Sequence, residues 1–173
     1  MARTIFFILF IISFFIGCKS DQKTSTEKGY LRWVGDINFD SSLDDTEFTI
    51  CNSQDSIIQY FSTRKGAQYV GEKSSVIQHF KTNYEPIKGK NQNGLIRIRF
   101  IVNCEGRAGR FRVLQADANF KETKFDDKIT TQLLDLTKAI EEWVVLHHDD
   151  KVFDYYYYLI FKIVDGQITE ILP

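Results

Sequence analysis

Alternation of apolar and polar residues is clearest between residues 94 and 116, where it predicts an antiparallel hairpin. One face of the first strand is apolar and carries Ile96, Ile98, Phe100 and Val102. The opposite face carries Arg97, Arg99, Ile101 and Asn103. A turn with two glycines follows at residues 104–109, and residues 110–116 alternate again. We therefore expect two neighbouring strands with one apolar and one arginine-rich face.

Apolar residues spaced by three and four predict two helices. In the first, residues 72–84, the stripe consists of Val76, Ile77, Phe80 and Tyr84, and Pro86 ends the element. The second opens at Asp126 and Asp127, which suit a helix N-terminus. Its stripe is longer and consists of Ile129, Leu133, Leu136, Ile140 and Trp143. This spacing predicts a helix of about four turns.

Residues 154–164 are dense in β-forming side chains, including four consecutive tyrosines at 155–158. The pair Asp165 and Gly166 is a strong hairpin signal, and residues 167–172 are predicted to return as a short last strand. The order from residue 72 is helix, strand, strand, helix, strand, strand. It predicts a two-layer α+β domain at residues 72–173, an antiparallel sheet covered by one amphipathic helix.

The N-terminus has a basic start, an apolar run at residues 5–16 and a small residue, Gly17, before Cys18. This order is typical of a secretory signal, and residues 15–18 (Phe-Ile-Gly-Cys) resemble the lipobox of bacterial lipoproteins. The resemblance implies that residues 1–17 are cleaved and that Cys18 carries lipid and anchors the protein to a membrane. The alternatives are an ordinary signal or a spanning anchor, although 12 apolar residues are fewer than the roughly 20 that a spanning helix needs.

The region between the lipid and the α+β domain divides in two. Residues 18–29 are polar after the cysteine and predict a flexible tether. Residues 30–71 contain apolar side chains without a sustained period, so we expect an extension of short strands and turns. Cleavage before Cys18 would leave 156 residues with a net charge of −2. This charge gives no reason to expect a nucleic-acid partner.

Residues that could carry chemistry are few. No nucleophile elbow, phosphate-binding loop or pair of catalytic carboxylates is found, so we expect neither an enzyme nor a cofactor. Residues 147–150 (His-His-Asp-Asp) are predicted to form a solvated loop. Cys51 and Cys104 remain once Cys18 is assigned to lipid. In an oxidising envelope they could form a disulfide, and the alternative is two buried free thiols.

Residues 36–47 partly match a calcium-binding loop, with oxygen donors at Asp36, Asn38, Asp40, Asp44 and Glu47. Ser41 occupies the sixth place, where the sharp turn needs glycine, and no helix is predicted before the loop. We favour an acidic turn and expect no metal.

Residues 72–173 resemble the C-terminal domain of TonB. The matching segments are Tyr-Glu-Pro at 84–86, the strand at 94–102, the glycine turn at 103–106, Trp143, and the strand at 156–163. TonB domains bind a segment of an outer-membrane receptor by adding it to their sheet and transmit energy from an inner-membrane motor. The resemblance places the receiving edge on the strand with Tyr156, Tyr158, Ile160 and Lys162, unless residues 167–172 already cover it.

TonB energy transducers also have a spanning anchor and a proline-rich spacer, and neither pattern is found in this sequence. Lys19 follows Cys18 in place of the aspartate associated with inner-membrane retention. We therefore expect a docking lipoprotein of the outer membrane whose partner is an envelope protein such as a receptor. The alternatives are a transport component that transmits energy through another subunit, and a structural or cell-wall-binding lipoprotein.

A second predicted binding surface is the polar face of the hairpin, with Arg97, Arg99, Arg110 and Arg112. Four arginines on one exposed face could bind an acidic partner. Alternatively, acidic residues of the N-terminal extension cover them, because like charges on neighbouring strands destabilise a sheet.

Overall fold

The computed structural model describes residues 35–60, 71–87, 92–141, 143–148 and 150–172. Cys18, the predicted signal at 1–17 and the predicted tether at 18–29 lie outside these residues. Within the described part, no helix combines the length and apolar character needed to span a membrane.

The described residues contain seven strands and two α-helices, in this chain order. They are β1 (Ile58–Gln59), α1 (Glu72–Asn83), β2 (Gly94–Val102), β3 (Ala108–Ala116), α2 (Asp127–Lys138), β4 (Leu146–His148), β5 (Lys151–Phe153), β6 (Tyr155–Val164) and β7 (Gln167–Leu172). The predicted order of helices and strands from residue 72 is confirmed, and the small hairpin of β4 and β5 is additional. That hairpin corrects the loop predicted at residues 147–150.

The main sheet has β6 and β2 at its centre. β2 pairs antiparallel with β3 on one side and with β6 on the other. Two strands pair with the other side of β6. β1 pairs with Tyr155 and Tyr156, and β7 pairs with residues Ile160 to Val164. Within residues 72–173 the strands of the main sheet pair antiparallel, as predicted, and β1 of the N-terminal extension adds a parallel pair to β6.

Both helices pack on one face of this sheet, where the alternation of β2 predicted a core. Ile96, Ile98, Phe100 and Val102 are fully buried there. They meet Phe80 of α1 and Ile129 and Leu133 of α2 in one apolar cluster. The sheet is therefore covered by two helices, where one was predicted, because the stripe of α1 also turns inward.

The second face of the sheet is covered as well, which corrects the two-layer prediction. Residues 35–57 cross this face without regular strands. Their apolar anchors Ile37, Phe48 and Ile57 form a second buried cluster with Ile101 and Tyr156. The ring of Phe48 lies where a side chain on Gly109 would stand, so this glycine allows the layer to approach β3. The protein is an α+β fold with an irregular third layer.

α2 is shorter than its apolar stripe predicted. Asp126 caps its start by accepting a hydrogen bond from the Lys128 backbone, as expected for this position. The helix ends at Lys138, one turn before Trp143. Thr137 donates its hydroxyl to the Leu133 carbonyl, a contact that competes with regular helix bonding. Ile140 and Trp143 nevertheless stay in the core, because the chain folds back and the Trp143 indole N–H donates to the Ile140 carbonyl.

Candidate functional site

The arginine face of the sheet is buried beneath residues 35–57. Arg97 and Arg99 are each 5% exposed. Arg99 donates to the backbone carbonyl of Gly35, and Arg110 donates to the Ile37 carbonyl and to Oε1 of Gln54 at 2.7 Å. The third layer thus supplies carbonyl oxygens as acceptors to Arg99 and Arg110. In this conformation the N-terminal extension closes the predicted surface for an acidic partner. The alternative expected acidic residues in this role, whereas Arg99 and Arg110 contact neutral oxygens.

Arg112 binds a carboxylate of the described residues, that of Asp44. Its two terminal nitrogens donate to the two oxygens of Asp44 at 2.6 and 2.7 Å, and Nη2 also donates to the Asn38 carbonyl. This hydrogen bond holds the pKa of Asp44 below its usual value and raises that of Arg112. Bidentate pairing of this kind is strong and fixes orientation, so the Asp44–Arg112 pair attaches the third layer to β3.

We predict that Asp44→Asn lowers the free energy of unfolding by about 1–2 kcal/mol at pH 7. Because the pKa of Asp44 is lowered in the folded protein, its contribution is present above the unfolded value of about 3.9 and is lost as pH falls through the folded value. Urea unfolding of both proteins between about pH 7 and pH 2 should therefore show a difference that shrinks with acid. A difference that is constant across this range would contradict the assignment.

Arg97 is stabilised by an aromatic ring. Its guanidinium carbon lies 3.9 Å from the centre of the Tyr158 ring, within the range of a cation–π contact. Burial lowers the pKa of Arg97 to about 10, and the neighbouring charge of Arg99 acts in the same direction. Arg97 and Arg99 both remain charged near neutral pH, so positive charge is buried beneath the third layer.

Cys51 and Cys104 form a disulfide with their Cα atoms 5.9 Å apart. The bond joins the third layer to the turn between β2 and β3. Beside it lies Asp154, which is fully buried. Its carboxylate accepts hydrogen bonds from the backbone N–H groups of Cys51, Asn52 and Cys104 at 2.8–3.1 Å. The disulfide and Asp154 together form what we call the disulfide junction.

The candidate calcium residues are not gathered into a metal site. Asp40 accepts from the backbone and hydroxyl of Ser42, and Asp44 is held by Arg112. Asp36 accepts from the Tyr156 hydroxyl, while Asn38 uses its backbone carbonyl for Arg112. Among the described residues, one group of three potential metal ligands is close enough to share an ion, and it is the disulfide junction. Its two sulfurs are already bonded to each other, and Glu47 lies outside this group.

The predicted receiving edge, marked by Tyr156, Tyr158, Ile160 and Lys162, lies inside the sheet. Tyr156 pairs with Gln59 of β1, and Ile160 and Lys162 pair with Leu172 and Glu170 of β7. The receiving edge that the resemblance implied is thus covered by β1 at Tyr156 and, as the alternative expected, by residues 167–172 from Ile160 onward. Within the described part of the chain, β7 pairs with β6 alone, so its own outer edge is open.

A groove of about 400 Å³ runs between β7 and α1, and we call it the β7 groove. Its apolar lining consists of Ile77, Phe80, Tyr84, Pro86, Ile168 and Ile171. The exposed lysines Lys73 and Lys81 stand on the helix wall. On the strand wall, Glu170 pairs loosely with Lys162 at 3.9 Å. The groove thus combines an open strand edge, an apolar floor and a basic wall.

Comparison of the chain with protein-family models, with characterised proteins and with solved structures found no match.

Sequence reasoning missed Asp154 and the β7 groove. Asp154 carries no motif, since its partners are backbone N–H groups far along the chain. The groove forms because α1 lies beside β7. The apolar stripe of α1 was predicted from the sequence, but the position of the helix next to the last strand was not. The relevant signal was the pair of lysines, Lys73 and Lys81, which flank that stripe.

Proposed function

We propose that this chain is a non-catalytic, lipid-anchored docking protein of the bacterial envelope. It holds an extended segment of a partner protein by strand addition along the outer edge of β7. The open edge beside the β7 groove is the observation that carries this proposal. An open edge supplies backbone hydrogen bonds, and an adjacent apolar groove supplies selection among side chains.

The partner segment is expected to be apolar on one face and acidic where it passes α1. Ile168 and Ile77 offer apolar contacts, and Lys73 and Lys81 offer positive charge at the groove rim. The resemblance of residues 72–173 to the TonB C-terminal domain supports the same mode of binding. In that family a receptor segment joins the sheet, and here the receiving strand moves outward by one because β7 covers β6.

The membrane part of the proposal concerns Cys18. Mass spectrometry of the protein from bacterial membranes should show an N-terminal Cys18 carrying a diacylglyceryl group, with residues 1–17 removed. An intact leader, or an unmodified thiol at Cys18, would contradict lipid anchoring and would leave the docking proposal to its own test.

The docking proposal is tested by a photo-reactive amino acid placed at Thr169, an exposed position on β7. In intact cells it should cross-link to an outer-membrane receptor. The same probe at Thr131, exposed on α2 away from this groove, should not. Cross-links to motor subunits would favour an energy-transducing component, and attachment to peptidoglycan a cell-wall role. The absence of any adduct specific to Thr169 would contradict docking at this edge.

Charge reversal provides a second test. We expect Lys73→Glu combined with Lys81→Glu to reduce the cross-linking yield at Thr169 at least about fivefold, because a partner's acidic side chains would then meet like charges. Lys128→Glu combined with Lys151→Glu is the matched control. Lys128 is the second residue of α2, as Lys73 is of α1, and Lys151 is exposed. Equal losses in the two double variants would contradict a specific role for the β7 groove.

A further inference from the structure

The sheet has a second open edge on its other side, along β3. Within the described residues, β3 pairs with β2, and only its last residue, Ala116, also bridges to Glu122. On the outer side, the Thr123 N–H donates to the Gln115 carbonyl at 3.2 Å. Alternate residues of a strand direct their backbone groups to the same side. The backbone groups of Val113 therefore also point outward. The alternation ends there, because residues 110 and 111 form a bulge opposite Phe100.

This edge lies at the bottom of a groove, which we call the β3 groove. One wall is the third layer at residues 36–48, and the other is the C-terminal end of α2. Two adjoining cavities of about 820 and 530 Å³ make up the groove and share Leu43, Phe111 and Lys138 as lining residues. On the third-layer wall, Phe39 is 49% exposed and Leu43 is 66% exposed. Exposed apolar side chains beside an open strand edge are typical of a binding surface.

The exposed charges of the β3 groove are mainly negative. Its exposed carboxylates are Asp36, Asp40, Asp45 and Glu141. The exposed cations are Lys138 and Arg107, and Arg107 is already paired with Glu105. Of the remaining arginines that line the groove, Arg112 is neutralised by Asp44. Arg99 and Arg110 keep their charge but lie beneath the third layer, where they donate to the Gly35 carbonyl and to Gln54. A cationic partner therefore complements the rim better than an anionic one.

We propose that the β3 groove binds an extended segment of another protein in which basic and apolar residues alternate. The segment adds to β3 through the outward backbone groups of Val113. Its apolar side chains pack on Phe39 and Leu43, and its basic side chains face the carboxylates of the rim. The two edges of the sheet then select segments of opposite charge, since the β7 groove has a basic wall.

The first test uses two synthetic decapeptides, one alternating lysine and valine and one alternating glutamate and valine. In an NMR titration of the disulfide-bonded protein, the lysine peptide should shift amide resonances of β3 and of residues 36–45. Its affinity should fall at least about fivefold between about 0.05 and 0.5 M salt. Tighter binding of the glutamate peptide at β3, or shifts confined to the β7 groove, would overturn the proposal.

A charge-neutral variant tests the rim. Asp36→Asn, Asp45→Asn and Glu141→Gln together remove three charges and keep one acceptor oxygen on each side chain. We expect the lysine peptide to bind about fivefold more weakly to this triple variant. The matched control removes three carboxylates elsewhere through Asp135→Asn, Asp150→Asn and Asp165→Asn. Equal weakening by the two triple variants would mean that only the overall charge matters, and it would overturn the proposal.

A backbone variant tests strand addition itself. Val113→Pro removes the outward N–H, and edge strands tolerate proline at such positions, so binding should fall at least about tenfold. In the unaltered protein, bound lysine peptide should slow amide exchange at Val113, a measurement that does not depend on the variant folding. Unchanged exchange at Val113 would overturn the proposal. Peptide-independent dimers in sedimentation that protect the same amide would also overturn it, in favour of a second copy of this chain.

Discussion

Replacing both cysteines of the disulfide, as Cys51→Ser with Cys104→Ser, should lower the free energy of unfolding by about 4 kcal/mol. The two residues are separated by 53 positions, so the bond removes a large amount of chain entropy from the unfolded state. It also fixes the irregular third layer to the turn between β2 and β3. Urea unfolding of the oxidised protein and of the double variant provides the measurement.

Hydrogen exchange should show which part of the protein the disulfide stabilises. The third layer has few apolar anchors, so in the variant the amides of residues 36–57 should exchange faster, whereas those of β2 should change much less. The unaltered protein treated with a dithiol reductant is the control, and it should match the double variant in both measurements. Two free thiols in the untreated protein, or equal unfolding midpoints for the two proteins, would contradict the prediction.

Opening of the third layer would expose Arg97 and Arg99, which are almost fully covered while the disulfide is intact. The arginine face would then become the surface that alternation along β2 predicted. That prediction correctly placed the four arginines on one side of the sheet. It failed on exposure, because the partners of Arg99 and Arg110 include carbonyl oxygens of Gly35 and Ile37. Backbone partners leave no mark in a sequence.

The helices and strands that were predicted correctly from the sequence have apolar residues at a regular spacing sustained along the whole element. Ile96 to Val102 alternate and form β2, and the stripe from Ile129 to Leu133 forms the buried side of α2. Residues 35–57 have no period, yet Ile37, Phe48 and Ile57 are buried. Their burial depends on a sheet face built from residues more than 40 positions away, so local pattern could not predict this layer.

The strands that pair with β6 at the predicted receiving edge could not be predicted from local sequence pattern either. β-forming residues such as Tyr156 and Ile160 correctly predicted the strand β6, but propensity does not determine which neighbours pair with it. The hairpin signal at Asp165 and Gly166 correctly predicted β7, and this strand is what covers Ile160 and Lys162. Pairing on the other half of β6 comes from β1, only two residues long, which is too short to predict.

Asp154→Ala leaves the disulfide of the junction intact and should still lower the free energy of unfolding by about 3 kcal/mol or more. The carboxylate of Asp154 is fully buried and accepts from the backbone N–H groups of Cys51, Asn52 and Cys104. Alanine would leave these three donors without their acceptor. Chemical unfolding with the disulfide intact in both proteins isolates this cost.

Asp154→Asn separates the effect of losing the carboxylate charge from the effect of losing side-chain volume, because asparagine fills the same space as aspartate. Its amide nitrogen would present hydrogens to N–H donors, so we expect a loss of about 2 kcal/mol. Asp135→Ala, on the exposed side of α2, is the control and should change stability by less than about 0.5 kcal/mol. Combined with the cysteine double variant, Asp154→Ala should cost less than it does alone, since both changes release the same segment. Strict additivity would mean that Asp154 and the disulfide stabilise the third layer independently.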